Sequence, residues 1–264
     1  MAIITISRGS YSRGKEIAEK VAEKLGYECI DRETIIETSE QYNIPEIKLV
    51  RAIHDAPSIL ERFGHSKDKY IPHFTAAFLR HLKKDNIVYH GLAGHFLIEG
   101  IPHVLKIRIL SDMEDRIILE MKRNNISRGE ARRTLRSDDE QRRKWSKYLF
   151  GINNADPSLY DLVLHIKKLT VEDAEDLICN TIKLPHFQTT TESQKALEDL
   201  LLVCEVKIAL LDEKKDIKVT ADNGTVLLKV KAHISQEELL VKDLSKKIQN
   251  VPDVKKVLVD VIPL

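Results

Sequence analysis

The residues best suited to chemistry lie in a glycine-containing loop near the amino terminus. Gly9 to Lys15 follow the pattern G-x-x-x-x-G-K, directly after an apolar run and directly before a helical pattern. In such a loop the backbone N–H groups and the positive end of the helix dipole attract phosphate, and the lysine reaches the β- and γ-phosphates. The alternative is an ordinary strand–turn–helix joint. The pattern favours a triphosphate-binding loop that consists of Gly9, Ser10, Ser12, Arg13, Gly14, Lys15 and Glu16.

The position after the lysine bears on the metal that accompanies a triphosphate. Loops of this type usually follow the lysine with Ser or Thr, whose hydroxyl binds Mg²⁺. Here Glu16 and Ile17 follow, and neither carries a hydroxyl. Ser10, Ser12 or water could take over this role. We therefore expect ATP with Mg²⁺ in a weakened site, and no metal site made by the protein alone.

A basic segment is the second candidate for chemistry. Between Met121 and Lys147 ten Lys or Arg residues face four acids, on a chain whose formal net charge is only +1. Arginine forks bind two oxygens at once and stabilise the charge of a phosphoryl group in transfer. Solvated helix-face charge is the alternative for most of the ten, and the lack of interleaved aromatic residues argues against a nucleic-acid partner.

Alternating strand and helix patterns indicate the scaffold for these residues. Strand patterns occur at 2–6, 27–30, 86–89, 104–110 and 162–166, and helical patterns lie between them, with breaks near Pro45, Pro57 and Pro72. This alternation predicts an α/β fold, with a five-stranded parallel sheet and helices on both faces. A helix that starts at the Thr170 cap, with Asp173 in the capping-box position, closes a first domain over residues 1–186.

The remainder of the chain predicts a second, smaller domain. Residues 187–195 are polar and lack periodicity, which is typical of a linker. Residues 196–264 show the order α-β-β-α-β, and Asn223-Gly224 predicts a tight hairpin between the two consecutive strands.

Two segments resemble the cytidylate kinase-like proteins. ITISRGSYSRGKEIAEKVAEKLGYECIDRETI is similar to the opening of that family, and SDMEDRIILEMKRNNISRGEARRTLRSDDEQRRKWSKYLFG with DPSLYDLVL is similar to its lid and last core strand. The resemblance implies a P-loop core of the nucleoside monophosphate kinase type, an ATP site, an acceptor site and an arginine-bearing lid.

The resemblance also implies roles for individual residues. Gly9, Gly14 and Lys15 match the phosphate loop, and Asp31 matches the acidic residue near the acceptor. Arg116 matches an arginine that precedes the lid, and Arg136, Asp139 and Arg142 approximate the lid motif. We therefore assign stabilisation of the transferring phosphoryl group to Arg136 and Arg142, and substrate contacts to Arg116 and Asp139. Arg132 is added to the substrate contacts because it lies one helical turn before Arg136. The residues after Asp31 differ from the acceptor segment of cytidylate kinases, and this leaves the acceptor open.

Residues 196–264 resemble a BON domain in their order of elements and in the hairpin DIKVTADNGTVLLKV. The resemblance implies a regulatory or oligomerisation role, through a second copy of the chain or a partner protein.

Composition and sequence pattern limit which classes of protein the chain can belong to. The three cysteines are widely spaced, which is typical of free thiols, and the chain shows neither a signal-peptide pattern nor an apolar run that could span a membrane. We therefore expect a cytoplasmic protein that transfers phosphate from ATP to a small phosphorylated acceptor, such as a nucleoside monophosphate. The alternative is a nucleotide sensor without turnover that signals through the BON-like domain.

Overall fold

A computed structural model describes residues 1–10, 12–31, 33–35, 67–91, 94–213, 216–233 and 237–263. Tyr11 and the predicted helix breaks at Pro45 and Pro57 lie outside these ranges. The helices are α1 Gly14–Leu25, α2 Lys67–Leu82, α3 Gly94–Leu97, α4 Met113–Asn124, α5 Arg128–Phe150, α6 Val171–Thr181, α7 Thr191–Ala209 and α8 Glu237–Ile248. The strands are β1 Ile3–Arg8, β2 Glu28–Asp31, β3 Ile87–His90, β4 Val104–Ser111, β5 Leu162–Ile166, β6 Ile217–Asp222, β7 Thr225–Ala232 and β8 Lys256–Pro263.

The elements form two compact units. The N-terminal unit contains β1–β5 with α1, α3, α4, α5 and α6. The C-terminal unit contains α2, α7, α8 and β6–β8. This division places α2 with the C-terminal helices, although its sequence lies within residues 1–186. The assignment of residues 1–186 and 196–264 as two domains stays a prediction.

The N-terminal unit is built on a parallel sheet of order β2-β3-β1-β4-β5, so the predicted five-stranded α/β fold is confirmed. The first five residues of β1 are buried because helices cover both faces of a parallel sheet. On one face, α1 and α6 pack over the apolar residues of the central strands. The predicted Thr170–Asp173 capping box starts α6.

The sheet brings several polar residues to one edge. Parallel strands end on the same side, and β1, β2 and β3 end in Arg8, Asp31 and His90. Asp31 lies beside His90 in the strand register, and His90 lies beside Ile6. Crevices at the carboxyl ends of parallel strands are where α/β proteins bind ligands.

In the C-terminal unit, β6 and β7 form the predicted antiparallel hairpin, and β8 joins β7 in parallel. Asn223 and Gly224 both have positive φ, 51° and 83°, as a tight hairpin turn requires. The order α7-β6-β7-α8-β8 matches the predicted order. Membership of the BON family stays a prediction.

Two predicted helix boundaries are wrong. The helix expected from residue 196 begins at Thr191, inside the expected linker, because Ser193 and Leu197 are both buried one turn apart and extend its packed face. Pro72 does not break a helix but lies inside α2. A proline removes one backbone hydrogen bond there, and the burial of Ala76, Phe78 and Leu79 in this helix, which packs against α7, offsets that loss.

Candidate anion-binding site

The glycine-containing loop joins the end of β1 to the start of α1. Gly14 is required for this close connection, since a Cβ there would lie 2.7 Å from the Cβ of Arg8. Arg13, the residue before α1, has φ 64°, an uncommon conformation for a residue with a side chain. Its side chain makes no capping hydrogen bond to the first turn and instead donates to Glu16 through Nε and Nη2, at 2.9 and 3.0 Å. The first-turn amides of α1 thus receive no cap from Arg13, and such amides attract anions.

A pocket of about 380 Å³ opens beside this loop. Gly9 and Ser12 line one side, and the carboxyl end of β4 lines another. Its charged lining comes from four separate elements and consists of Arg8, Arg108, Arg116, Arg142, Arg143 and Asp139. Five guanidinium groups and one carboxylate make this a site for an anion with several oxygens.

Arg116 connects the loop to helix α5. It is 7% exposed, and its Nε donates to the carbonyl oxygen of Ser10 at 2.7 Å. Its two Nη atoms donate to both carboxylate oxygens of Asp139 at 2.8 and 2.9 Å. The Ser10 hydroxyl donates to Asp138 at 3.1 Å, which adds a second link between the loop and α5. The fork geometry of arginine thus fixes the loop and helix α5 together.

Positive charge in this pocket is incompletely compensated. Burial, and then the neighbouring Arg142, lower the pKa of Arg8 to about 10, and the buried Nε of Arg8 has no hydrogen-bond partner among the described residues. Burial also lowers the pKa of Arg142, and the carboxylates of Asp138 and Asp139 oppose that shift. A bound anion would favour the charged forms of both arginines, because an opposite charge stabilises them.

Asp31 and His90 form a second polar group at the same edge of the sheet. Burial opposes ionisation of Asp31, but hydrogen bonds from the Thr34 amide and hydroxyl, at 2.9 and 3.0 Å, hold its pKa below the ordinary value. Burial, and then Arg8, lower the pKa of His90 to about 4, so its imidazole is neutral at pH 7. His90 is 4% exposed, and its Nδ1 has no partner within the described part of the chain.

The structure brings together only part of the predicted site. Gly9, Ser12, Arg116, Asp139 and Arg142 line the pocket, and Ser10 lies next to it through its bonds to α5 and Arg116. The other predicted residues do not line this pocket: Arg13, Gly14, Lys15, Glu16, Asp31, Arg132 and Arg136.

The exposed lysine and arginine residues that were predicted for the site make contacts on the protein surface. Lys15 lies 3.7 Å from Glu19 on α1, with 58% of its side chain exposed. Arg132 pairs with Glu114, as does Arg128. Arg136 is exposed and does not line the pocket. Roles for Lys15, Arg132 and Arg136 therefore stay predictions.

Three arginines that line the pocket were not predicted from the sequence. Arg8 ends β1, Arg143 follows the predicted Arg142, and Arg108 lies in β4. Arg108 donates to the Tyr160 hydroxyl at 3.1 Å and to the carbonyl of Asn154, which holds its guanidinium at the pocket. The sequence did offer a signal for Arg108, because it lies in the apolar run VLKIRIL and a charged residue in a central strand is uncommon.

The described residues hold no cluster of three or more His, Cys, Asp or Glu side chains that could bind a metal ion. Hydroxyl groups near the loop are engaged with the protein, since Ser12 donates to the carbonyl of Gly9 at 3.0 Å. In the same described part of the chain, no helix has the length and apolar character needed to cross a membrane.

The parallel sheet and the loop after its first strand define an α/β protein with an arginine-lined pocket beside that loop. The chain belongs to the cytidylate kinase-like family, whose model matches residues 3–168. No curated protein matches the chain.

Several solved structures are similar to this chain. An uncharacterized protein from Eubacterium ventriosum ATCC 27560 is 19% identical with a TM-score of 0.53, and the match covers 69% of this chain and 98% of that one. TT1252 from Thermus thermophilus is 16% identical with a TM-score of 0.44, over 69% and 96% of the two chains. Shikimate kinase from Acinetobacter baumannii, in complex with shikimate, is 13% identical with a TM-score of 0.40, over 69% and 93%. At these identities the similarity concerns the fold alone.

Proposed function

We propose that the chain transfers a phosphoryl group from ATP to a small phosphorylated acceptor, most simply a nucleoside monophosphate. The observation that carries this proposal is the pocket in which five arginines meet Gly9 and Ser12 of the loop. Membership of a kinase-like family supports it. Phosphoryl transfer depends mainly on position and on stabilisation of negative charge, and this pocket offers both.

In this proposal the ATP phosphates contact the loop amides and Lys15. Lys15 is exposed and makes one long ion pair, so its side chain can turn toward a ligand at small cost. Arg142 and Arg116 stabilise the transferring group, and α5 acts as the lid that carries Arg136, Asp139 and Arg142. Mg²⁺ arrives with the nucleotide and is held mainly by phosphate oxygens and water, with Ser10 and Ser12 as the nearest loop hydroxyls.

The acceptor site lies at the ends of β2 and β3 in this proposal. Asp31 is ionised and orients the acceptor, and the neutral His90 offers Nδ1 to one of its polar groups. This arrangement suits an acceptor that carries hydroxyl or amine groups beside its phosphate.

A second candidate function is nucleotide sensing without turnover. Glu16 occupies the position of the usual hydroxyl residue, and its carboxylate is held by Arg13. In that case nucleotide occupancy would be relayed to the BON-like residues 196–264.

A phosphorylation screen separates the two functions. The full chain is incubated with Mg-ATP and each nucleoside monophosphate, and ADP formation is measured. Lys15→Ala should lower turnover by about 100-fold, the scale for loss of one charge-stabilising group. Lys20→Ala is the control, because Lys20 lies on the same helix and pairs on the surface with Glu172. ATP binding without phosphorylation of any acceptor would favour the sensor, and absence of ATP binding would refute both functions.

A further inference from the structure

Strand β8 forms one edge of the sheet in the C-terminal unit. The sheet order is β6-β7-β8, so within the described residues the outer edge of β8 has no strand partner. The strand pairs with β7 over its whole length, from Thr225 beside Lys256 to Ala232 beside Pro263. Proteins usually protect such long edges with bulges, prolines or charges, because the unpaired backbone groups can bind another chain. In β8 the proline stands at the very end, which leaves the centre of the edge open.

The outward face of β8 contains both apolar and charged residues. Lys256, Leu258, Asp260 and Ile262 alternate along the strand and are exposed, with Leu258 at 42% and Ile262 at 41%. Val257, Val259 and Val261 alternate with them and pack partly against the core of this unit. Covering Leu258 and Ile262 would remove apolar surface from water, which favours association.

The direction of the backbone groups defines which residues can pair. The amide of Lys256 donates to the carbonyl of Gly224 at 3.3 Å, so its peptide groups face β7. Successive residues of a strand point their backbone groups to opposite sides, which directs those of Val257 and Val259 outward. An antiparallel second strand can therefore form hydrogen-bonded pairs with these two residues.

In one antiparallel register, two copies of β8 place complementary residues opposite each other. If two copies pair antiparallel about Leu258, Val257 lies opposite Val259 of the second copy, which satisfies the outward backbone groups. The same register places Lys256 opposite Asp260 of the second copy, twice by symmetry, and brings the two Leu258 side chains together. A register centred on Lys256 or Asp260 would instead place like charges opposite each other, which is unfavourable.

The other edge of the sheet provides a comparison. Strand β6 also allows opposite charges to pair about Thr220, through Lys218 and Asp222. Its exposed residues are polar, however, whereas β8 exposes Leu258 and Ile262. Apolar burial is the dominant favourable contribution in most protein association, so it favours β8.

We propose that the chain forms a symmetric dimer in which the β8 strands of two copies pair antiparallel about Leu258 and join the two small sheets into one of six strands. The interface contains the two Leu258 side chains at its centre and a Lys256–Asp260 ion pair on either side. Symmetric contacts of this kind are the commonest among soluble oligomers.

Sedimentation velocity of the full chain tests the dimer, because it reports mass independently of any enzymatic activity. The wild type should sediment as a dimer at about 100 µM, well above the micromolar Kd expected of a modest interface. Leu258→Lys places two like charges at the symmetry axis and should weaken the dimer about tenfold or more, equivalent to about 1.4 kcal/mol. Because Leu258 is exposed, this variant should fold normally, and circular dichroism checks it. Thr220→Lys on β6 is the matched control and should leave the dimer unchanged.

A charge exchange tests the register. Lys256→Glu and Asp260→Lys should each weaken the dimer. The double variant should recover part of the affinity, because opposite charges again face each other across the interface while the contact of Asp260 with Lys229 of its own chain is lost. A wild type that stays monomeric at this concentration would overturn the proposal. So would a Leu258→Lys dimer as stable as the wild type, or dissociation caused by Thr220→Lys.

Discussion

Arg116→Lys changes the residue that joins the loop to helix α5 while it keeps the positive charge. Arg116 makes three hydrogen bonds, one to the Ser10 carbonyl at 2.7 Å and two to Asp139 at 2.8 and 2.9 Å, and only 8% of its side chain is exposed. Lysine lacks the planar fork and cannot make all three at once. A hydrogen bond that involves a charged group contributes about 1.5–3 kcal/mol, so the variant should lose about 2–3 kcal/mol in the free energy of unfolding.

Urea denaturation of the full chain measures this loss. Trp145 is the single tryptophan and lies on α5, so its fluorescence reports the helix that Arg116 holds. Arg128→Lys is the control, because Arg128 is 64% exposed and pairs with Glu114 on the surface. The control should change stability by less than about 0.5 kcal/mol. If Arg116→Lys is equally mild, the link between the loop and α5 does not have the strength that its geometry indicates.

Three further predictions concern the loop and its surroundings. Gly14→Ala should destabilise the chain by about 1–3 kcal/mol in urea denaturation, because the new Cβ would lie 2.7 Å from the Cβ of Arg8. Gly129→Ala is the control: its new Cβ would meet no atom closer than 3.8 Å, so this variant should be neutral or stabilising. His90 has a folded pKa of about 4 against 6.5 in the unfolded chain, so the unfolded state binds more protons between these values and stability falls as pH drops from 6.5 to 4. In His90→Gln that fall should be smaller by about 2–3 kcal/mol, and an unchanged pH profile would contradict the burial of a neutral imidazole. Tyr160→Phe removes a buried hydroxyl that lies 2.8 Å from the Asn154 carbonyl and should cost about 1–2 kcal/mol in thermal or urea unfolding; no cost would mean that this bond is not formed.

Local patterns explain why the sheet and the loop could be predicted from the sequence. The apolar β-branched run before Gly9 and the helical stripe after Gly14 each specify their own element, and parallel strands then align their carboxyl ends. The Asn223-Gly224 turn is equally local, because both residues tolerate positive φ. Such features need no knowledge of distant contacts.

The composition of the pocket could not be predicted in the same way. Arg8, Arg108 and Arg143 are far apart in the sequence and meet only after β1, β4 and α5 have packed. The resemblance to the lid motif placed Arg136 and Arg142 together, but they lie six residues apart on α5, and only Arg142 lines the pocket. The helix break expected at Pro72 was wrong for the same reason, because the packing of α2 against α7 overrides the strong tendency of proline to end a helix.

The proposed function depends on the pocket as a binding site for the phosphates of ATP, and isothermal titration calorimetry with Mg-ATP tests this directly. The wild type should bind, and Arg142→Ala should weaken binding by about 10- to 100-fold, the effect expected for loss of a charge-assisted hydrogen bond of about 1.5–3 kcal/mol. Arg128→Ala, which removes an exposed arginine at the start of the same helix, should leave the affinity unchanged. Absence of ATP binding to the wild type, or equal affinity in Arg142→Ala, would contradict the assignment of this pocket.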